Sequence, residues 1–322
     1  MARILTGIQS SGKPHLGNIL GAIEPSVELS KNSGNESLFF IADLHSLINI
    51  KDSKLRHENT LSVAAAWISM GFDYKNNFFY RQSKITEVCE LTWYLNCFTP
   101  FPMLSNSHSF KDKSKNLSSV NSGLFTYPVL MASDILLYDA DIVPVGKDQK
   151  QHLEITRDIA KSFNHQYGET FVIPECKLDD NVMTIPGIDG RKMSKTYNNT
   201  IDIFSEEKIL KKQIMSIVTD SKGIDDKKNP EECNIFNIYA LLAKDDQIIK
   251  MRKKYESGGF GYGDAKKELQ NLILEKFRKP REKYFDLIKN YDHLNSVLEI
   301  GEKKAKIIAQ EVLERVRIKL GY

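Results

Sequence analysis

The chain has 322 residues, 41% of them hydrophobic and 27% charged, with a formal net charge of +3. This composition excludes a disordered or collagen-like chain and leaves room for about two domains with sizeable cores. No charge-free apolar run reaches the roughly 18 residues of a membrane span, so no membrane role is expected.

In chain order, Ile4–Ile8 reads as a strand and Ile19–Lys31 as a helix interrupted near Pro25. Ser37–Ala42 is an apolar run ending in Asp43, the pattern of a buried parallel strand. Arg56–Met70 has helical spacing, with Leu61, Ala64, Ala65 and Ile68 on one face. Asn77–Arg81 is another strand, followed by the helix-like Thr86–Asn96. Asp141–Gly146 is a further strand, and Gln149–Phe163 a helix that Asp148 could cap. This alternation predicts an α/β fold, a Rossmann-like doubly wound parallel sheet with ligands at the strands' carboxyl ends, near Gln9, Asp43 and Gly146.

Beyond Ile203 the strand signals fade. Ser205–Thr219, Asn234–Ala243, Gln247–Lys254, Gly263–Asn290 and Glu302–Leu320 have helical period, with linkers at Asp220–Pro230 and Ser257–Gly261. Two domains are expected, 1–203 and an all-helical 204–322, with the last helix in reach of the first domain. Residues 205–322 carry 25 Lys and Arg against 20 Asp and Glu. Such a surplus suits a polyanion partner, and solvated lysine-rich helices give the same count. Cys89, Cys97, Cys176 and Cys233 show no CxxC spacing, which favours buried free thiols over a metal site. With a strand-like opening and no leader in view, a cytoplasmic location is expected.

Two segments carry the chemistry. Gly7-Ile8-Gln9-Ser10-Ser11-Gly12-Lys13-Pro14-His15-Leu16-Gly17-Asn18 follows the first strand, and Lys192-Met193-Ser194-Lys195-Thr196 follows the turn Gly187–Gly190. Small residues let main-chain N–H groups approach phosphate oxygens, and a helix opening at Asn18 adds the positive end of its dipole. A distant lysine loop can close over the same polyphosphate, which points to ATP. Gly7-x4-Gly12-Lys13 matches the front of a Walker A loop, but Pro14 brings neither the Mg²⁺-binding hydroxyl nor a main-chain donor. A P-loop NTPase is disfavoured and stays as a rival. His15 and Asn18 can donate to phosphate oxygens while Gly17 admits a flat purine; a glycine turn with a capping asparagine explains the same residues equally well. Taken alone, Lys192–Lys195 is more simply a solvated basic turn. Asp134, inside the apolar segment Val129–Tyr138, is either a costly acid awaiting a donor or the N-cap of a helix starting at Ile135.

Gly7-Ile8-Gln9-x-Ser11-Gly12, Gly17-Asn18, Gly123–Pro128, Met131–Tyr138, Asp141–Gly146, Asp148–Glu154, Thr156–Ala160 and Lys192–Lys195 together resemble a known family. It is the class I aminoacyl-tRNA synthetases with their HIGH and KMSKS signatures, and within them the bacterial-type tryptophanyl-tRNA synthetases. The likeness runs from residue 2 to about 220 and continues weakly to the C-terminus. It implies activation of L-tryptophan with ATP, giving tryptophanyl-adenylate and pyrophosphate, then transfer to tRNA(Trp) by a homodimer whose helical domains take the anticodon.

The resemblance also assigns roles. Gln9, Ser10, Ser11, Gly17 and Asn18 contact phosphate, ribose and adenine, with His15 beside them. Gly146, Lys147 and Asp148 hold the ribose, and Val182 offers backbone to adenine. Lys113, Lys192, Ser194 and Lys195, with Met193 and Thr196 in the same loop, gather pyrophosphate charge together with Mg²⁺ bound through the phosphates rather than in a protein cage. Asp134 accepts the indole N–H, Leu5, Met131, Val143 and Val145 line a flat apolar slot, and Tyr127 and Gln149 meet the amino-acid end. Apart from the resemblance, His45 can hydrogen-bond near the substrate, although one histidine after a strand is more often structural, and His152 on its helix reads as no more than a loop anchor. The chain departs from the family pattern at Leu5, where an aromatic is usual, at Ser109 and at Lys147. Lys253, Lys254, Tyr255, Lys266 and Lys267 suit an RNA-facing surface as well as a solvated one. Two further rivals are a tyrosine-specific relative and an RNA-binding paralogue without activation.

Overall fold

The computed structural model describes residues 2–31, 34–107, 110–111, 120–146, 149–178 and 184–322, without the side chains of 145 and 176–178. β1 (Ala2–Ile8), β2 (Asn35–Ile41), β3 (Phe78–Arg81), β4 (Ile142–Val145) and β5 (Glu175–Leu178) form one parallel sheet in the order β3-β2-β1-β4-β5. The winding reverses at β1 and β4, so a crevice opens at their carboxyl ends. The sequence does not signal β5: its four residues alternate charged with uncharged and lie at the sheet edge.

α1 (Leu16–Asn18) passes through a π turn at Ile19–Ile23 into α2 (Glu24–Ser30). Pro25 sits in the first turn of α2, directly after the π turn, whose wider winding accommodates a residue that brings no N–H to the helix. The expected interruption is therefore present, as a π turn just before the proline. α3 (Asp43–Ser46), α4 (Ser53–Ser69), α5 (Glu87–Phe98), α6 (Phe101–Ser105), α7 (Ser122–Leu136) and α8 (Lys150–Tyr167) complete the α/β part.

Alternate strand residues feed opposite layers, as a period of two requires. Phe39, Ile41 and Phe79 join α4 on one face, while Leu38, Phe40 and Tyr80 join α5, α7 and α8 on the other. The first layer is continuous with the helices that follow: α9 (Glu207–Met215), α10 (Asn234–Ala240), α11 (Asp245–Ser257), α12 (Tyr262–Lys276) and α13 (Arg278–Ile288). One expected helix over 263–290 is thus two, broken at Phe277 with Pro280 just beyond.

The last helix, α14 (Tyr291–Leu320), is longer than its periodicity suggested, because Gly301 does not end it. Leu294, Val297 and Leu298 belong to one layer and Ala305, Ile308 and Val312 to the other, so α14 crosses from face to face past the edge strand β3. At the crossing Gly301 lies against the Phe79 backbone, and a Cβ there would overlap the Phe79 carbonyl. One residue further along, Glu302 takes the Arg81 guanidinium at 2.5 Å, with both side chains buried.

Gly301→Ala should therefore cost about 1–3 kcal/mol through overpacking, seen as a lowered thermal midpoint. Gly263, whose added Cβ meets nothing within 4 Å, should tolerate alanine with unchanged or slightly raised stability. Equal effects at both positions would contradict the crossing geometry.

Candidate active site

The crevice at the ends of β1 and β4 holds a cavity of about 410 Å³. Its apolar walls include Leu5, Phe40, Met131, Ile135 and Val143, and its polar groups include Gln9, His45, Tyr127, Asp134 and Gln149. The sequence-derived residues Leu5, His45, Tyr127, Met131, Asp134, Val143 and Gln149 thus meet around one space.

Asp134 sits in the last turn of α7 and is 3% exposed. No helix starts at Ile135, so the N-cap reading is overturned. Pro128 inside α7 concealed that helix in the sequence. Burial raises the Asp134 pKa, opposed by hydrogen bonds from His45 and Gln82. His45 Nε2 lies 3.0 Å from Oδ2, and Gln82 Nε2 donates to both oxygens at 2.9 and 2.8 Å. A carboxylate has about four acceptor positions, so one remains for a further donor.

Sequence reasoning missed Gln82. It follows β3 directly, is 1% exposed, and accepts from the main-chain N–H of Leu44 at 3.1 Å with its other amide atom. Asking what stands at the carboxyl end of every parallel strand, rather than of three, would have found it. A second relay fixes the opposite polar groups. His152 Nδ1 meets Gln149 Oε1 at 2.9 Å, so Nδ1 carries the proton and Nε2 accepts the Tyr127 hydroxyl at 2.6 Å. His152 anchors two cavity residues rather than a loop.

The glycine turn and the lysine loop converge beside this cavity. Gly12 has φ +142, and a Cβ on it would lie 3.0 Å from Lys195 Nζ. Gly17 N–H points at Met193 Sδ at 3.3 Å, and Leu16 N–H donates to Ile201 C=O at 2.8 Å. The loop is stapled by Asn199, also missed in the sequence. Its Oδ1 accepts from Ser194 N–H at 2.7 Å, while its Nδ2 donates to Asp189 at 2.7 Å and to Lys192 C=O at 3.1 Å. The Ser194 hydroxyl accepts from Thr196 N–H at 3.3 Å.

Electrostatics here follow from partial burial. Much of Lys195 faces solvent, but its ammonium is desolvated against Gly12, which pulls its pKa down to about 8 despite Asp202 nearby. It remains mostly charged at neutral pH. His15 is pushed down to about 4, first by burial and then by the Lys195 charge. Its Nδ1 accepts from Asn18 N–H at 3.3 Å while Asn18 Oδ1 accepts from His15 N–H at 3.2 Å. The neutral ring therefore keeps its proton on Nε2, as a donor.

Other expected residues fare differently. Gln9 and Gly146 line the cavity. Ser11 and Lys192 are exposed. The Ser10 hydroxyl is fully buried between Ser46 and Thr60, so any contact from Ser10 to a nucleotide comes from its main chain. Lys113, Ser109, Lys147, Asp148 and Val182, with the side chain of Val145, lie outside the described residues. Among the basic-surface residues, Tyr255 is buried and Lys254, Lys266 and Lys267 are engaged by Glu268, Met215 C=O and Asp264. Tyr255 is therefore core, not a surface aromatic.

A family model described as tRNA synthetases class I (W and Y) matches residues 1–278. The chain is 48% identical over 322 residues to the tryptophan–tRNA ligase of Fusobacterium nucleatum, covering 100% of this chain and 98% of that one. It is 47% identical over 319 residues to that of Campylobacter jejuni strain RM1221, covering 99% of each. A crystal structure of Campylobacter jejuni tryptophanyl-tRNA synthetase complexed with ADP and tryptophan superposes with a TM-score of 0.95 at 46% identity, covering 99% of this chain and 100% of that one.

His15 gives a pH test of the front turn. Its folded pKa of about 4 lies below the ordinary histidine value of 6.5, so the unfolded chain binds the extra proton and stability is lost as pH falls between those values. The denaturant midpoint should drop from pH 7 to pH 5, and drop less in His15→Asn, which keeps a capping acceptor. Identical drops in both proteins would contradict the buried, neutral ring.

Proposed function

Because the chain belongs to the class I tRNA synthetases for tryptophan and tyrosine, we propose that it is a tryptophan–tRNA ligase whose chemistry runs through the crevice described above. It joins the carboxylate of L-tryptophan to the α-phosphate of ATP, expels pyrophosphate, and passes the aminoacyl group to a ribose hydroxyl of tRNA(Trp) with loss of AMP. The observation that carries the site assignment is the buried Asp134 carboxylate in an apolar cavity next to the converged Gly12 turn and Lys195 loop.

Both reactants of the first step are anionic, so catalysis consists mainly of in-line positioning and of neutralising charge on the leaving pyrophosphate. Lys195, already against Gly12, stands where the leaving group's charge develops, with Lys192 and Ser194 in the same loop and Lys113 assigned alongside them. His15 Nε2–H donates to phosphate, Gln9 and the bare backbone of Gly17 lie beside phosphate, ribose and adenine, and Asn18, whose main-chain N–H is held by His15, offers its side-chain amide N–H. Gly146 lines the cavity on the nucleoside side, and the family resemblance assigns Lys147, Asp148 and Val182 to the same nucleoside. The fourth acceptor position on Asp134 takes the indole N–H, Leu5, Met131 and Val143 flank the ring, with Val145 assigned there by the resemblance, and the Tyr127–His152–Gln149 relay meets the amino-acid end. Mg²⁺ would arrive on the nucleotide's phosphates and share in neutralising their charge.

A cytoplasmic homodimer is part of this reading. The dimer is supported by a stripe on the exposed face of α5, where Cys89, Trp93 and Cys97 recur every fourth residue, continued by Phe101 on α6. Trp93 is 68% and Phe101 69% exposed, an unusual cost for a lone surface. Residues 204–322 are assigned to the tRNA anticodon, the surplus of positive charge there being the support. No helix among the described residues is long and apolar enough to cross a membrane.

ATP–pyrophosphate exchange run with each of the twenty amino acids tests the proposal: tryptophan alone should support exchange. Asp134→Asn should lower kcat/KM for tryptophan about tenfold to a hundredfold. A preference for tyrosine, or ATP hydrolysis that needs no amino acid, would overturn the assignment.

A further inference from the structure

We propose that Phe40 determines which aromatic side chain the cavity accepts, its ring being the surface on which the substrate's indole lies. This rests on the reading of the Asp134 cavity as a tryptophan site.

Asp134 alone does not explain selection between tryptophan and tyrosine. An indole N–H and a phenol O–H are both donors, and a carboxylate accepts from either. Discrimination between a bicyclic and a monocyclic ring has to come from the walls. Most of these are aliphatic: Leu5, Met131, Ile135 and Val143. Tyr127 is aromatic, but its hydroxyl is committed to His152 at 2.6 Å.

Phe40 differs from all of them in how it reaches the cavity. On β2 it pairs in register with Gly7 of β1. A Cβ on Gly7 would fall onto the Phe40 ring, so the glycine makes room for that ring to lie across the neighbouring strand, towards the crevice. There it lines the cavity and is 8% exposed. It has no room to retreat: it stacks on Tyr80 with centroids 5.9 Å apart and planes 23° from parallel. Tyr80 in turn packs on Tyr138 at 5.4 Å. A ring fixed by a stack behind it is a rigid surface, and offset or edge contact with a second aromatic favours the larger indole. Gly7 and Phe40 therefore act as one unit, an absent side chain on one strand and a large one on the next.

Steady-state exchange kinetics on Phe40→Leu, Gly7→Ala and the double variant test this, with tryptophan, tyrosine and ATP each varied. Phe40→Leu should raise the KM for tryptophan about threefold to tenfold and reduce the tryptophan-over-tyrosine preference by a similar factor. Its kcat and its KM for ATP should stay within about twofold of wild type. Gly7→Ala, which displaces the ring, should also raise the tryptophan KM, and the double variant should be no worse than Phe40→Leu. Phe40→Met is read in the same way should the leucine variant not fold. An unchanged tryptophan KM, equal rises for tryptophan and ATP, or additive effects in the double variant would each overturn the role of Phe40. A wild-type protein whose exchange does not depend on tryptophan would instead overturn the parent reading, so the two failures are distinguishable.

Discussion

The structure depends on one juxtaposition: an amino-terminal glycine turn and a lysine loop nearly two hundred residues later occupy the same place. Neither could hold the other unaided. The approach rests on Gly12, whose φ of +142 is a conformation that residues with a Cβ rarely adopt, and where a Cβ would lie 3.0 Å from Lys195 Nζ. It also requires the loop to be shaped from behind. Asn199 does this with both amide atoms, while the Leu16 to Ile201 main-chain bond ties the loop's far end to the first turn of α1. The lysine is thereby kept partly out of water, next to a ring that burial keeps neutral. A site that must gather negative charge is thus assembled with its cation in place.

A second constraint is the buried acid. Taking a carboxylate out of water is expensive unless donors meet it. Gln82 and His45 offset part of that cost and leave one acceptor position facing the cavity. Gln82 also grips the turn after β2, so the orientation of the acid is set by the ends of two strands and one helix. The helical part of the chain shares in this rigidity. Its helices continue the core on one sheet face, and α14 reaches the other by crossing β3 at Gly301. The two halves are therefore joined by packing on both layers rather than by a single hinge.

Much of this was legible in the residues themselves. The alternation of apolar runs with helical periods announced a doubly wound sheet, and the strand ends marked the crevice. What escaped did so for physical reasons. α7 carries Pro128 in its interior and so reads as broken. β5 is an edge strand whose polar residues dilute its pattern. Gly301 looks like a helix end until β3 is laid against it. Gln82, Asn199 and Phe40 act through contacts between segments distant in sequence or on neighbouring strands, and no local spacing signals them. The run Lys253-Lys254-Tyr255 illustrates the opposite failure: a surface-like composition whose tyrosine is core.

A crystal structure with a non-hydrolysable tryptophanyl-adenylate analogue bound tests the central claim most directly. The account predicts the indole nitrogen within hydrogen-bonding distance of the Asp134 carboxylate and the phosphate mimic between the Gly12 turn and Lys195. An analogue whose ring lies outside that cavity, or whose phosphate mimic meets only one of the two segments, would contradict it.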